Sequence, residues 1–188
     1  ALGWQGSSLH WREYRSTYLV LAGLMAPLVI SVHSIVGLDF AGGLVPGWHE
    51  TQFPPYFVFG AVLSGFAVVL MLVIPLRRAL DLDGVITPRH LDVLARLMLT
   101  TSLLIGYSYG LEIFMPFYRG EAHEVENAMA NLIGTYAAWY WAKIVLNTAV
   151  PQLLWIRRVR FSPPLLFMIS AGVVVGMWIE RYVIVVAS

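Results

Sequence analysis

Residues 56–74 read YFVFGAVLSGFAVVLMLVI, an uninterrupted run without a charged side chain. An α-helix rises about 1.5 Å per residue, so a run of this length crosses the hydrocarbon core of a bilayer, which is roughly 30 Å thick. Pro75 follows the run directly, and Arg77 and Arg78 come next. The stretch therefore predicts a transmembrane helix that ends at a charged membrane surface.

Four further stretches share this apolar character, at residues 17–38, 91–115, 128–155 and 163–186. The whole chain of 188 residues is 59% hydrophobic and 12% charged, whereas soluble domains carry roughly 25% charged residues. We therefore predict an all-α integral membrane protein with about five transmembrane helices. Residues 1–188 form a single membrane domain in this interpretation, and we expect it to be an excerpt of a longer subunit.

The charged residues outside the predicted spans are sorted by sign. Arginines occupy the segment before the first span and the loops after the second and fourth spans: Arg12, Arg15, Arg77, Arg78, Arg89, Arg157, Arg158 and Arg160. The loops on the opposite side carry carboxylates: Asp39, Glu50, Glu121, Glu124 and Glu126. Arginine and lysine mark the cytoplasmic side of membrane proteins. The pattern predicts a cytoplasmic N-terminal end, with loops 39–55 and 116–127 outside.

Charge and cysteine content exclude several functions. The formal net charge is +1, so the chain has no basic surplus with which to bind the phosphates of a nucleic acid. It contains no cysteine, which excludes disulfides and thiolate ligation of an iron–sulfur cluster by this chain. The other histidines fall in loops or at predicted helix ends, so they do not match His33 in depth, and paired histidine ligation of a haem is not expected.

Ionisable residues inside membrane spans are rare and often functional. His33 lies in the outer half of the first span, and Asp39 lies six residues later, at its outer end. His33 is either a packing group that hydrogen-bonds between helices or a proton partner for a bound hydroxyl. Asp39 is either a hydrated carboxylate at a helix end or a proton acceptor for a hydroquinone. The two side chains can converge on one ligand if the chain turns at Asp39.

Three further positions carry charge in or near the spans. Glu112, near the outer end of the third span, is a second candidate proton acceptor or an interfacial carboxylate. Lys143 lies inside the fourth span, and we expect it to pair with a carboxylate on another helix. Glu180 and its neighbour Arg181 are most simply explained as interfacial charges.

Six strings of sequence carry a resemblance to a known family. They are SVHSIVGLDFA at 31–41, followed by PGWH at 46–49 and FPPYF at 53–57, then IGYSYGLEIFM at 105–115 with FYRG at 117–120, and GMWIERYV at 176–183. Together they resemble the NrfD/PsrC family of quinone-interacting membrane subunits of polysulfide-reductase-like complexes. Within that family the chain looks most like the membrane subunits of bacterial alternative complex III, ActC and its paralogue ActF.

The resemblance implies a larger NrfD-like bundle of two four-helix units in the bacterial inner membrane. It implies quinol, such as menaquinol, bound near the periplasmic surface, with no haem or cluster on this chain. Partners would be a periplasmic iron–sulfur subunit, a second NrfD-like membrane subunit and cytochrome c subunits. By similarity Asp39 would be a quinol-site carboxylate, with His33 or His10 as its partner and Tyr56 as a further binding residue.

The expected function is that of a quinol-binding subunit of an oxidoreductase complex, without its own redox centre. Asp39, His33 and Glu112 would accept the quinol protons while electrons pass to the iron–sulfur partner. Two other interpretations stay open. A paralogous subunit would translocate protons or only anchor the complex, and a proton-coupled secondary transporter would use the same intramembrane charges.

Overall fold

The computed structural model describes residues 6–43 and 52–186. In these ranges all regular structure is helical. The helices are α1 (Ser8–Ala41), α2 (Phe53–Ala79), α3 (Pro88–Arg119), α4 (Ala122–Ile133), α5 (Ala137–Ile144), α6 (Arg157–Arg160) and α7 (Pro163–Val186). A short 3-10 turn, Leu82–Gly84, precedes α3. Helices α1, α2, α3 and α7 are long and apolar enough to cross a membrane. The predicted all-α membrane fold is therefore confirmed.

The core lies between α2, α3 and α7, each of which buries one stripe of residues. The stripes repeat every three or four positions: Tyr56, Gly60, Leu63, Ala67, Leu70 and Ile74 on α2; Leu91, Ala95, Met98, Ser102, Ile105 and Tyr109 on α3; Leu166, Ile169, Val173, Gly176 and Glu180 on α7. This spacing lets neighbouring helices interdigitate at a small crossing angle. The polar members of the α2 and α7 stripes, Tyr56 and Glu180, fall at one end of the bundle.

Helix α1 packs against the beginning of α2 near its own C-terminal end. A Cβ added to Gly37, which is buried, would lie 2.6 Å from the Cα of Pro54, so glycine allows this close approach. The ring of Phe40 lies 6.4 Å from that of Phe53 and 5.2 Å from that of Phe57. Most other side chains of α1 are exposed. Trp48, which the sequence places in an outer aromatic loop, lies outside the described residues.

The predicted span 128–155 is wrong as a single helix. Helix α4 ends at Ile133, and Gly134 has an extended backbone with φ −92° and ψ −153°. Helix α4 is amphipathic and none of its residues is buried, which is typical of a helix on a surface. The chain resumes as α5, which continues into a π-helical segment (Val145–Ala149) and a 3-10 segment (Val150–Trp155). The sequence hides the break because Gly134 and Thr135 are two residues within a long run that is apolar on average.

Helix α5 and the two segments that follow it, from Ala137 to Trp155, form one composite helix. Pro151 explains its irregular second half. Proline has no N–H, so it cannot bond the carbonyl of Asn147 four residues earlier. That carbonyl instead accepts a hydrogen bond of 2.8 Å from the hydroxyl of Ser102 on α3. The carbonyl of Asn147 thus accepts a hydrogen bond from another helix in place of one from its own helix.

The opposite end of the bundle is closed by a buried ion pair. The carboxylate of Asp92 on α3 accepts a 2.7 Å bond from Nε of Arg160. Nη1 of Arg160 also donates to the carbonyls of Leu154 and Trp155, at 2.7 and 3.1 Å, which are the last carbonyls of the composite helix. Arg160 therefore holds the segment between the composite helix and α7 against α3 and against the end of the composite helix.

Gly176→Ala is expected to destabilise the protein by about 1–3 kcal/mol, the usual range for overpacking a core. The added methyl group would lie 2.7 Å from Cβ of Leu146 and would also collide with the Asn147 amide. Thermal unfolding of the purified membrane protein measures this. Gly65→Ala is the matched control, because nothing lies within 4 Å of its new Cβ. Equal stability of the two variants would contradict the close packing of α7 on the π-helical segment.

Candidate functional site

Glu180 is the centre of a buried polar cluster. Glu180 is only 1% exposed and lies on the face of α7 that packs into the core. The hydroxyl of Tyr109 on α3 donates a short hydrogen bond to Oε2. The amide of Asn147 donates both to that same Oε2, at 3.2 Å, and to the Tyr109 hydroxyl, at 2.9 Å. Three segments of the chain thus meet at one carboxylate.

Local backbone geometry allows Asn147 to reach this carboxylate. Asn147 belongs to the π-helical segment, and single π-helical turns are frequent at functional sites. Gly176 lies one helical turn before Glu180 and leaves the space that the Asn147 amide occupies. On the other side, a Cβ at Gly60 of α2 would lie 3.8 Å from Oε1 of Glu180. Gly176 therefore makes room for the amide partner of the carboxylate, whereas Gly60 is only in ordinary contact distance of the carboxylate itself.

Lys143 and Glu112 form an ion pair beside this cluster. Nζ of Lys143 lies 2.9 and 3.1 Å from the two carboxylate oxygens of Glu112. The side chain of Lys143 is 1% exposed and that of Glu112 is 31% exposed. The ammonium also lies over the rings of Tyr109 and Tyr140, at 4.9 and 4.4 Å from the centroids. The pair therefore extends from the buried cluster to the surface.

Tyr56 joins the cluster from α2. Its ring meets that of Tyr109 edge to face, at 6.1 Å between centroids. Its buried hydroxyl interacts with the Glu180 carboxylate without reaching hydrogen-bond geometry. Within the described residues, Oε1 of Glu180 and Oδ1 of Asn147 are likewise buried without a hydrogen-bond partner. Unmatched buried polar atoms are costly, and three of them lie together in this cluster.

Aromatic side chains connect the cluster to the end of α1. The ring of Phe53 lies 6.1 Å from that of Tyr56 and 5.9 Å from that of Phe57, and Phe40 of α1 packs on both phenylalanines. The guanidinium of Arg181 lies over the Phe57 ring, 4.8 Å from its centroid. A continuous aromatic surface of mutually tilted rings therefore runs from the α1–α2 contact to the buried carboxylate.

The three candidate residues on α1 lie in different surroundings. His33 is half-buried and precedes Gly37 by four residues, so it occupies the side of α1 that faces α2. Its Nδ1 bonds the carbonyl of Val29 at 2.7 Å. Asp39 is exposed, and α1 continues as a helix through Ala41, so the chain does not turn at Asp39. His10 is near the other end of α1, about eight helical turns away from Asp39.

Of the sequence candidates, the structure brings Tyr56 and Glu112 into one cluster. Asp39, His33 and His10 lie outside the described hydrogen bonds and ring contacts that build it. The expected partner of Lys143, a carboxylate on another helix, is confirmed as Glu112. The interpretation of Glu180 as an interfacial charge is wrong, because Glu180 is fully buried.

Sequence periodicity could have revealed Glu180. Positions 166, 169, 173, 176 and 180 follow one another at intervals of three or four, and the first four carry apolar or small residues. Glu180 continues this stripe, so helical geometry places it on the buried face of α7. The π-helical placement of Asn147 has no comparable signal, because Pro151 indicates only that the helix is irregular there.

A concavity lies at the opposite end of the bundle. It is an open groove of about 590 Å³ between the end of α2 and the beginning of α7, lined by Ile74, Pro75, Arg78, Ala79, Pro164, Phe167 and Met168. It is apolar apart from Arg78. In the part of the chain that the structure describes, no group of three histidine, aspartate or glutamate residues could hold a metal ion.

A comparison with family models identifies the family to which the chain belongs. The model described as "Polysulphide reductase, NrfD" matches residues 5–188. The chain belongs to the NrfD family. A comparison with curated proteins finds no significant match. Members of the NrfD family are quinone-interacting, multi-pass membrane subunits of redox complexes, in which they accompany iron–sulfur and other redox subunits. The buried polar cluster is thus part of an NrfD-type helical bundle.

Glu112→Gln is expected to lower the stability of this NrfD protein by about 3–5 kcal/mol, because it leaves the buried ammonium of Lys143 without a counter-charge. Combining it with Lys143→Met should recover much of that loss, and a double-mutant cycle on unfolding measures the coupling.

The control for this cycle is Asp83→Asn. Asp83 pairs with Arg77, but its side chain is 64% exposed. An exposed pair contributes roughly 0–1 kcal/mol. Additive effects of the Glu112 and Lys143 substitutions would show that the pair is not coupled in the membrane.

Proposed function

We propose that this NrfD subunit binds quinol at the periplasmic end of its bundle and takes part in quinol oxidation. The quinol ring would lie where the end of α1 meets the beginning of α2. Protons would pass to groups of this chain, and electrons would pass to an iron–sulfur partner. The observation that carries the proposal is the aromatic surface of Phe40, Phe53 and Phe57, which leads directly to the buried carboxylate cluster.

The chemistry of this surface suits a hydroquinone. Aromatic rings stack on a flat quinol ring in offset or edge-to-face geometry, and an apolar setting excludes competing water. His33 lies on the side of α1 that faces α2, where an imidazole can exchange a hydrogen bond with a quinol oxygen. Asp39 lies at the same end of α1 but on a different face from His33, because the helix continues through Ala41. In this proposal Asp39 accepts a quinol proton at the outer end of the helix and does not share one hydroxyl with His33. His10 is the less favoured partner, because it is distant along the helix.

Glu112 is the proposed outlet for protons. Its carboxylate is partly exposed, and it is anchored by Lys143. A group that is held on one side and hydrated on the other can exchange protons with bulk water. The loop and helix that follow carry further carboxylates, Glu121, Glu124 and Glu126, on what the arginine pattern predicts to be the periplasmic side.

The proposed electron path leaves the chain. A sequence without cysteine offers no thiolate for an iron–sulfur cluster, so this chain contributes binding, orientation and proton acceptance. The acceptor would be a periplasmic iron–sulfur subunit. The strings of sequence quoted above favour the membrane subunits of bacterial alternative complex III, in which a second NrfD-like subunit and cytochrome c subunits would complete the assembly in the inner membrane.

Asp39→Asn is expected to lower quinol-dependent electron transfer by the assembled complex by about a hundredfold, because a general base contributes roughly 10²–10⁴ to rate. Binding of a fluorescent quinol analogue should weaken in parallel. Asp81→Asn is the matched control. It makes the same chemical change at an exposed carboxylate near the opposite end of α2, and asparagine tolerates the left-handed backbone there (φ 49°).

Two results would count against this proposal in different ways. Unchanged turnover in Asp39→Asn would contradict the role of Asp39. Absence of saturable quenching by the quinol analogue, in the wild-type complex with this subunit present, would favour a paralogous subunit that moves protons or anchors the complex. Substrate binding by the subunit without redox partners would instead favour a secondary transporter.

A further inference from the structure

We propose that Glu180 is a proton-binding site in its own right, which takes up and releases one proton inside the bundle. This goes beyond quinol binding, because the site would load a proton that need not come from quinol. It consists of the Glu180 carboxyl group, the Tyr56 and Tyr109 hydroxyls and the Asn147 amide.

The carboxyl group of Glu180 has uncharged hydrogen-bond partners. Its hydrogen bonds come from a phenol and an amide, both uncharged. Among the described residues, no lysine or arginine nitrogen lies within 4 Å of it, in contrast to Glu112 and Asp92, which both form close ion pairs. A buried carboxylate without a contacting cation has a substantial desolvation cost, which binding a proton removes.

The charged groups around Glu180 also support its ionised form. The charged and titratable groups facing Glu180 come from every element around it: Tyr56 on α2, Tyr109 and Glu112 on α3, Lys143 on α5 and Arg181 on α7. With Glu180 ionised, the two cations balance the two carboxylates, and with Glu180 protonated the cluster carries one positive charge. Both states therefore have a structural basis, which a switching proton site requires.

Two buried oxygen atoms of the cluster have no hydrogen-bond partner among the described residues, namely Oε1 of Glu180 and the Tyr56 hydroxyl. The Tyr56 hydroxyl interacts with the Glu180 carboxyl group. A phenol can donate to a carboxylate and can accept from a protonated carboxyl group. Tyr56 can therefore serve Glu180 in both protonation states.

A proton can reach this site from the partly exposed end of the cluster. Lys143 links Glu112 to the ring of Tyr109, whose hydroxyl already points its proton at Oε2 of Glu180. In this proposal the proton comes from hydronium at the exposed edge of Glu112 and returns to bulk water on release, so only the Glu180 carboxyl group changes its protonation state.

Infrared difference spectroscopy of the full-length protein in its membrane complex tests this directly. We expect a pH-dependent C=O stretching band of a protonated carboxyl group that shifts in D₂O. The band should be lost in Glu180→Gln and retained in Glu13→Gln, the matched control, which makes the same change at an exposed carboxylate near the beginning of α1. Tyr56→Phe keeps the ring and should shift the band, because the hydroxyl that interacts with the Glu180 carboxyl group is removed.

A band that persists in Glu180→Gln, or the absence of any such band in the wild type, would overturn the proposal. If Glu180→Gln fails to assemble, Tyr56→Phe decides, and an unmoved band then overturns it. The band is measured without quinol, so its outcome does not depend on whether quinol binds at the α1–α2 contact.

Discussion

The carboxylate of Glu180, with the hydrogen bonds that it accepts from Tyr109 and Asn147, is the constraint to which much of the bundle is adapted. At this depth only protein can offer hydrogen-bond donors to a carboxylate, since lipid has none. The π-helical turn carries the amide that reaches it, and Gly176 leaves the space that this amide occupies. The close packing of α7 on the π-helical segment thus accompanies the polar contact at Glu180.

The two ends of the bundle use charge in different ways. At the arginine-rich end, Asp92 is bound directly by Arg160, which also satisfies the carbonyls at the end of the composite helix. That arrangement is complete and serves the fold. At the other end, Lys143 and Glu112 reach toward the surface while Glu180 keeps an unmatched oxygen. Incomplete satisfaction, together with a path to water, is what proton chemistry requires.

Much of this architecture could be predicted from the sequence, because long apolar runs have few alternatives to membrane helices. The partner of Lys143 was also predictable in kind, since a buried ammonium needs a carboxylate. The division at Gly134 could not be predicted from hydropathy, which averages over a single glycine. The interpretation of Glu180 as an interfacial charge is wrong because its neighbour Arg181 suggests a membrane surface, whereas the helical stripe of α7 indicates burial. The position of Asn147 depends on Pro151 and Ser102 jointly, and only the tertiary structure brings these together.

The central claim is that quinol binds where α1 meets α2, close to the buried cluster. Photolabelling of the intact complex with a photoreactive quinone, followed by peptide mapping, tests it most directly. The account predicts competable labelling of the segments around Phe40 and Phe53–Phe57. Labelling confined to the groove at the opposite end, around Ile74 and Phe167, would contradict it.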